Sequence, residues 1–137
     1  MTEQLTLKNS LPEVETTQQR LEELLRGEGF TDDLVHDLSL VAEEVLVNIV
    51  KHGYADAPES QREISITLSV NGERRVEIVF RDDAAAFNPL TVAERDPDDD
   101  RLGGWGIPML KTLTDHVEYA HQDGHNVLRV ERSERDS

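Results

Sequence analysis

Apolar positions recur every three or four residues between Leu11 and Gly53, and every second residue from Glu63 onward. The first period belongs to helices and the second to strands packed on one face. Ser10-Leu11-Pro12-Glu13 has the order of an N-cap with proline just inside a helix, Val14, Leu21, Leu24 and Leu25 supply its apolar side, and Gly27 and Gly29 end it. Thr31-Asp32-Asp33 starts a longer helix whose Leu34, Leu38, Val41, Val45 and Ile49 keep helical spacing up to His52-Gly53. Ahead of both, Gln4 to Lys8 alternates like an edge strand. After the polar loop Ala55 to Gln61, Glu63 to Val70 and Arg75 to Phe80 alternate around Asn71-Gly72, and Val117 to His121 and Val127 to Glu131 around Asp123-Gly124. Both dipeptides favour hairpins. Between the hairpins, Glu94 to Arg101 is too polar to pack and reads as a loop or lid, and Gly103-Gly104-Trp105-Gly106 opens a short apolar helix through Leu113. The charged tail after Arg132 reads as frayed. These elements predict an α/β (α+β) two-layer sandwich, with a mixed, mostly antiparallel sheet covered by helices on one face.

With 137 residues the chain reads as one domain, residues 1–137, large enough for a single core. Its 29 acidic and 14 basic residues give a formal charge of −15, which repels nucleic acid and anionic lipid and argues against direct DNA binding. The absence of cysteine excludes disulfides, thiolate zinc sites and cysteine nucleophiles. No apolar run approaches the roughly 20 residues of a membrane helix, and the N-terminus lacks the basic-then-apolar order of a signal peptide. The expectation is a cytoplasmic protein without membrane contact.

Candidate chemistry starts in Glu43-Glu44-Val45-Leu46-Val47-Asn48-Ile49-Val50-Lys51-His52-Gly53-Tyr54, where Glu44, Asn48 and His52 recur one helical turn apart. A carboxylate able to take a hydroxyl proton, one turn from an amide oxygen able to bind a hard cation, suits phosphoryl transfer. The bland reading is the wet flank of an amphipathic helix, against which stands the poor helix propensity of asparagine. Gly103, Gly104 and Gly106 form either a tight turn or a cradle of backbone N–H groups for phosphate at a helix start. Asp82 and Asp83 are either solvated turn residues or a strand-end carboxylate for an exocyclic amine. Trp105 reads as a lid or core aromatic. Lys51, His36, His116, His121 and His125 read as surface groups without metal-ligand spacing.

The order of these segments resembles the GHKL (Bergerat-fold) ATPase superfamily, which includes gyrase-type topoisomerases, mismatch-repair ATPases and histidine kinases. Within it the chain is most similar to the small bacterial anti-sigma-factor serine/threonine kinases. EEVLVNIVKHGY corresponds to the asparagine box, RDDAAAFNPL to the first glycine box and RLGGWGIPMLKTLTDHVEY to the second, over about Leu5 to Glu131. The resemblance implies ATP and Mg2+ as cofactors. It gives Glu44 the polarising of the attacking hydroxyl, Asn48 the magnesium, and Asp82 the adenine amino group. Gly103, Gly104 and Gly106 wrap the phosphates, Arg101 reaches the terminal phosphate, and Asn126 stands beside the adenine pocket. It also implies an anti-anti-sigma antagonist protein as phosphoacceptor, a sigma factor as alternative partner, and a homodimer. No phosphoacceptor-histidine helix pair precedes the ATP-binding part, which argues against a self-contained sensor histidine kinase.

One position departs from the pattern. Where the first glycine box normally reads Asp-x-Gly, Ala84 takes the glycine place and adds a methyl group beside the expected pocket. The retained Phe87-Asn88-Pro89 leads to the expectation of a turn relaxed into a conformation that alanine tolerates. Rival readings are a non-catalytic module that binds a partner according to nucleotide state, which Ala84 favours, and a stand-alone ATPase in which Glu44 activates water.

Overall fold

The computed structural model describes residues 1–55, 57–58, 61–84 and 106–134, with backbone alone described for 106–109. Strand β1 (Thr2–Lys8) leads into helices α1 (Leu11–Gly27) and α2 (Asp32–Asn48), and α2 runs on into one π-helical turn, Ile49–Gly53. Strands β2 (Glu63–Val70) and β3 (Arg75–Asp82) follow, and after helix α3 (Gly106–Leu113) come β4 (His116–Gln122) and β5 (His125–Ser133). The sheet order is β1-β2-β3-β5-β4, with every neighbouring pair antiparallel.

The expected parallel component of a mixed sheet is therefore absent among the described residues. The α1–α2 pair reverses the chain once more than a single crossover helix would, so β2 returns antiparallel to β1. Strands β3 and β4 do run parallel, but β5 lies between them and they never pair.

Side-chain alternation sorts the sheet into two faces. Leu7, Ile64, Ile66, Leu68, Val76, Ile78, Phe80, Leu128 and Val130 are buried on one, in mutual register such as Ile66 opposite Phe80 and Phe80 opposite Leu128. The other face is polar. Its Arg129 holds Glu77 at 3.0 Å, Glu118 at 2.6 Å and Glu131 at 2.8 Å. Helix α2 buries Val35, Ala42 and Leu46 besides the expected Leu34, Leu38, Val41 and Val45, since it lies between α1 and α3 and needs a wider apolar stripe.

Helix ends follow local chemistry. Thr31 caps α2, its hydroxyl accepting from the Leu34 N–H at 3.3 Å. Ser10 occupies the N-cap of α1 without a side-chain cap bond, and the Glu13 carboxylate instead accepts from the Lys8 N–H at 2.8 Å. At the end of α1, Gly29 takes φ +84°, with Gly29 N–H donating to the Arg26 carbonyl and Phe30 N–H to that of Leu25, a Schellman closure.

The two hairpins close differently. Asp123 and Gly124 both have positive φ, 54° and 78°, and make the two-residue turn their sequence predicts. Asn71-Gly72 does not: Asn71 to Arg74 form a longer turn in which Arg74 N–H donates to the Asn71 carbonyl and the left-handed residue is Arg74, at φ 59°. Arg74 is held there by Glu134 at 2.6 Å, by the Gly29 carbonyl at 2.8 Å and by the Phe30 ring 4.6 Å below its guanidinium. Tertiary contacts thus outweigh the local preference of the Asn-Gly pair. Gly124→Ala is expected to cost about 1–2 kcal/mol, since it forces an L side chain into the left-handed region. Gly72→Ala, with open space around it and no positive φ, should instead stabilise by about 0.4–1 kcal/mol by restricting the unfolded chain. Urea denaturation of both variants checks the contrast.

Candidate functional site

The C-terminal end of α2, the last residue of β3, α3 and the start of β5 enclose a cleft lined by Val45, Asn48, Ile49, Gly53, Phe80, Asp82, Leu110, Tyr119, Asn126 and Leu128. Most of this wall is apolar and suits a flat heteroaromatic ring. Three buried polar side chains interrupt it: Asn48, Asp82 and Asn126.

Asp82 is the last residue of β3, and the β3–β5 register places it opposite Asn126. Its Oδ1 accepts from Asn126 Nδ2 at 3.0 Å and from the Ala84 N–H at 2.9 Å, and Asn126 Nδ2 also donates to the Ala84 carbonyl at 3.1 Å. Tyr119 O–H in turn donates to Asn126 Oδ1, which sets the amide's orientation. The second oxygen of Asp82 accepts no hydrogen bond from any described residue, and Asp82 lines the cleft. Burial pushes the Asp82 carboxyl above the usual carboxylate range, opposed by the hydrogen bonds from Asn126 and Ala84 and aided by the neighbouring Asp83 charge. Of the two readings of Asp82, the solvated turn residue does not hold, because the side chain is 6% exposed.

Ala84 is buried, and its φ is not positive: among the described residues only Arg74 and Asp123 are non-glycines with positive φ. Its backbone conformation is one that alanine tolerates, as expected. The added methyl is accommodated by a glycine elsewhere. A Cβ built on Gly53 would lie 3.2 Å from the Ala84 Cβ.

Asn48 ends α2 and faces the cleft, with Glu44 one turn earlier and partly buried. Burial, and then the charge of Glu43, push the Glu44 carboxyl above its ordinary value. His52 departs from the expected stripe. It sits in the π turn after Asn48 and lines a neighbouring depression with Tyr54, Arg62 and Asp83. Burial, and then Lys51, lower its pKa.

Gly106 is the first residue of α3. Arg101, Gly103, Gly104, Trp105, Phe87-Asn88-Pro89 and the acidic segment Glu94 to Arg101 lie outside the described residues. The described residues contain no cluster of three or more His, Asp or Glu able to hold a metal ion. Sequence reasoning missed Tyr119 and Leu110. Their signals, an alternating aromatic and a helical apolar position, are those of any core residue.

Two stability effects follow. A carboxyl whose folded pKa is raised contributes stability that is full below its unfolded pKa and is lost as pH rises through the folded value. Asp82→Asn removes that loss while keeping an acceptor oxygen for Asn126 and Ala84. Its urea midpoint relative to wild type should therefore climb as pH rises above about 4, the unfolded carboxyl value. Ala84→Gly should lower stability by about 1 kcal/mol through unfolded-state entropy and the lost buried methyl, as read by the same denaturation.

Residues 7–132 match the family model for the histidine kinase-like ATPase domain. The serine-protein kinase RsbW of Bacillus mycoides is 30% identical over 116 residues, which cover 79% of this chain and 70% of that protein. RsbW of Listeria innocua is 28% identical over 109 residues, covering 73% and 67%. Among solved structures, a Mycobacterium tuberculosis chain with RsbU and RsbW domains superposes with a TM-score of 0.72 at 19% identity, over 97% of this chain and 32% of that longer one. The Pseudomonas aeruginosa SiaB–SiaC complex contributes a second neighbour, with a TM-score of 0.70 at 12% identity over 93% and 88%. These two show the same fold. A match over nearly the whole chain, joined to a cleft where the asparagine-box helix faces a strand-end aspartate, places the chain in the histidine kinase-like ATPase domain family, beside its serine-protein kinases.

Proposed function

We propose that this chain is an ATP- and magnesium-dependent protein serine/threonine kinase of the anti-sigma-factor type, acting as a single domain over residues 1–137. The observation that carries the proposal is the tether on Asp82. One carboxylate oxygen is occupied by Asn126 and Ala84, and the other is left for an incoming N–H in a mostly apolar slot. An adenine ring with its exocyclic amine matches that slot in shape and in hydrogen-bond sense. Asn126 is a positioning residue here, because it acts through Asp82.

Glu44 and Asn48 stand one turn apart on α2; Asn48 lines the cleft across from Asp82, and Glu44 lies one turn back from it, partly buried. Glu44 would take the proton of the acceptor hydroxyl as its oxygen bonds to the γ-phosphorus of ATP and the bond to the β,γ-bridging oxygen breaks, releasing ADP; its raised pKa suits a base that must hold a proton briefly. Asn48 offers an amide oxygen, the hard donor that Mg2+ prefers. When bound, that ion neutralises charge on the ATP phosphates. Backbone N–H groups at Gly103, Gly104 and Gly106 receive the phosphates, and Arg101 reaches the terminal one. The ordinary φ of Ala84 removes the strain that favoured a silent binder.

Kinship with the serine-protein kinases supports a small antagonist protein as phosphoacceptor and a sigma factor as the alternative partner, in the cytoplasm and with the kinase as a homodimer. The formal charge of −15 gives the exchange a driving force. A phosphoserine adds about −2 charge to the antagonist's docking surface, and the acidic kinase then repels its product.

Glu44→Gln should retain nucleotide binding and lose more than about 10²-fold in phosphoryl transfer to the antagonist. Because the base works deprotonated, the wild-type rate should rise with pH through a value above the ordinary carboxylate range, and the glutamine variant should lack that acid limb. Phosphotransfer assays across pH decide it; a near-wild-type rate in the variant would remove Glu44 from the chemistry. Asn48→Ala should abolish the magnesium dependence of ATP binding, which calorimetry with and without the metal measures.

A further inference from the structure

Tyr54 follows the π turn directly, is 6% exposed, and spends its hydroxyl on one residue. The phenol O–H donates to Asp83 Oδ1 at 2.6 Å and its oxygen accepts the Asp83 backbone N–H at 3.0 Å. A hydroxyl has one proton, so the Glu63 carbonyl at 3.4 Å is the weaker claimant. Burial, and then the bond to Asp83, push the phenol pKa up, which keeps the proton on the hydroxyl. At its other end, Tyr54 N–H donates to the Ile49 carbonyl at 2.9 Å and closes the turn that begins after Asn48. One residue therefore ties the end of α2, which carries Asn48, to the residue after Asp82. One position earlier, Gly53 packs on Ala84 so closely that a methyl there would meet the Ala84 methyl at 3.2 Å. Two consecutive residues, Gly53 and Tyr54, thus engage two consecutive residues, Ala84 and Asp83, beside the carboxylate that faces the cleft.

We infer that Gly53 and Tyr54 form a clasp that positions Asp82 for recognition of an adenine nucleotide, with Tyr54 as a positioning residue and Gly53 making room for the methyl of Ala84. The inference rests on the reading of Asp82 as the adenine acceptor. A carboxylate at that place accepts from the amine of adenine and repels the carbonyl oxygen that guanine carries at the equivalent position. Discrimination between ATP and GTP therefore reports where the carboxylate stands. A purely structural role for Tyr54 would alter stability and leave that ratio unchanged.

The test is calorimetric titration with Mg-ATP and Mg-GTP of wild type, Tyr54→Phe, Gly53→Ala, Ala84→Gly and the Gly53→Ala/Ala84→Gly double variant, with circular dichroism of each. Tyr54→Phe is expected to weaken ATP binding by on the order of tenfold and to lower the ATP/GTP ratio by a similar factor. Gly53→Ala should weaken ATP binding in the presence of Ala84, and the double variant should regain the affinity of Ala84→Gly alone. Should Tyr54→Phe fail to fold, the glycine cycle decides by itself. Wild-type selectivity for ATP retained in Tyr54→Phe, or additive losses in the cycle, would overturn the clasp while leaving the site reading intact. A wild-type protein without preference for ATP over GTP would overturn both.

Discussion

A carboxylate buried at the end of a strand has to be held by donors or it becomes neutral, and the arrangement around Asp82 follows from that constraint. Asn126 and the Ala84 N–H serve one oxygen, and Tyr119 orients Asn126. None of these partners is a neighbour of Asp82 on a continuous element: they come from β5, from the turn after β3 and from β4. Antiparallel pairing of β3 with β5 is what sets Asn126 opposite Asp82, and β5 reaches that place only by lying between β3 and β4. The sheet order and the polar centre of the cleft are one fact seen at two scales. Burial raises the Asp82 pKa, so the charged group costs stability near neutral pH where a neutral group would not. A position that served packing alone would be filled at less cost by an apolar residue.

The other wall depends on how α2 ends. Asn48 lines the cleft while His52, in the π turn that follows, lines the neighbouring depression, and that turn places Gly53 and Tyr54 against the segment after β3. The change of pitch joins helix to strand at the level of the cleft. It also explains how an alanine stands where the family has glycine. The space needed by one methyl group is supplied by the absence of another, on a different element, so that close packing is conserved while the residue pattern is not.

Because all three helices lie on one face of the sheet, the opposite face keeps its polar alternation and carries Arg129 among Glu77, Glu118 and Glu131. These partly exposed pairs add little stability each. The cleft lies on the helix-covered side of the sheet, and the chain as a whole carries a formal charge of −15.

Much of the architecture was legible in the sequence because it is local. The periods of the apolar positions placed every described helix and strand, and Pro12, Thr31 and Asp123-Gly124 set boundaries by backbone preferences that act within a few residues. The family was legible because three motifs occur in order, and the match over residues 7–132 agrees with it. What only the tertiary structure decided involves residues distant in the chain. Arg74 takes the left-handed place in its turn because Glu134 and Phe30 hold it there, although Gly72 is the locally better residue. Among the described residues the sheet has no parallel pair because β5 lies between β3 and β4, an order that no single strand sets. Asn126 and Tyr119 read as ordinary strand residues, and only their pairing across the sheet gives them to Asp82. The room for the Ala84 methyl is left by Gly53, which lies on a different element at the end of the π turn. Periodicity and turn chemistry are written into neighbouring residues, whereas packing between distant segments is a property of the folded chain, since it is set by distances that do not exist until the elements meet.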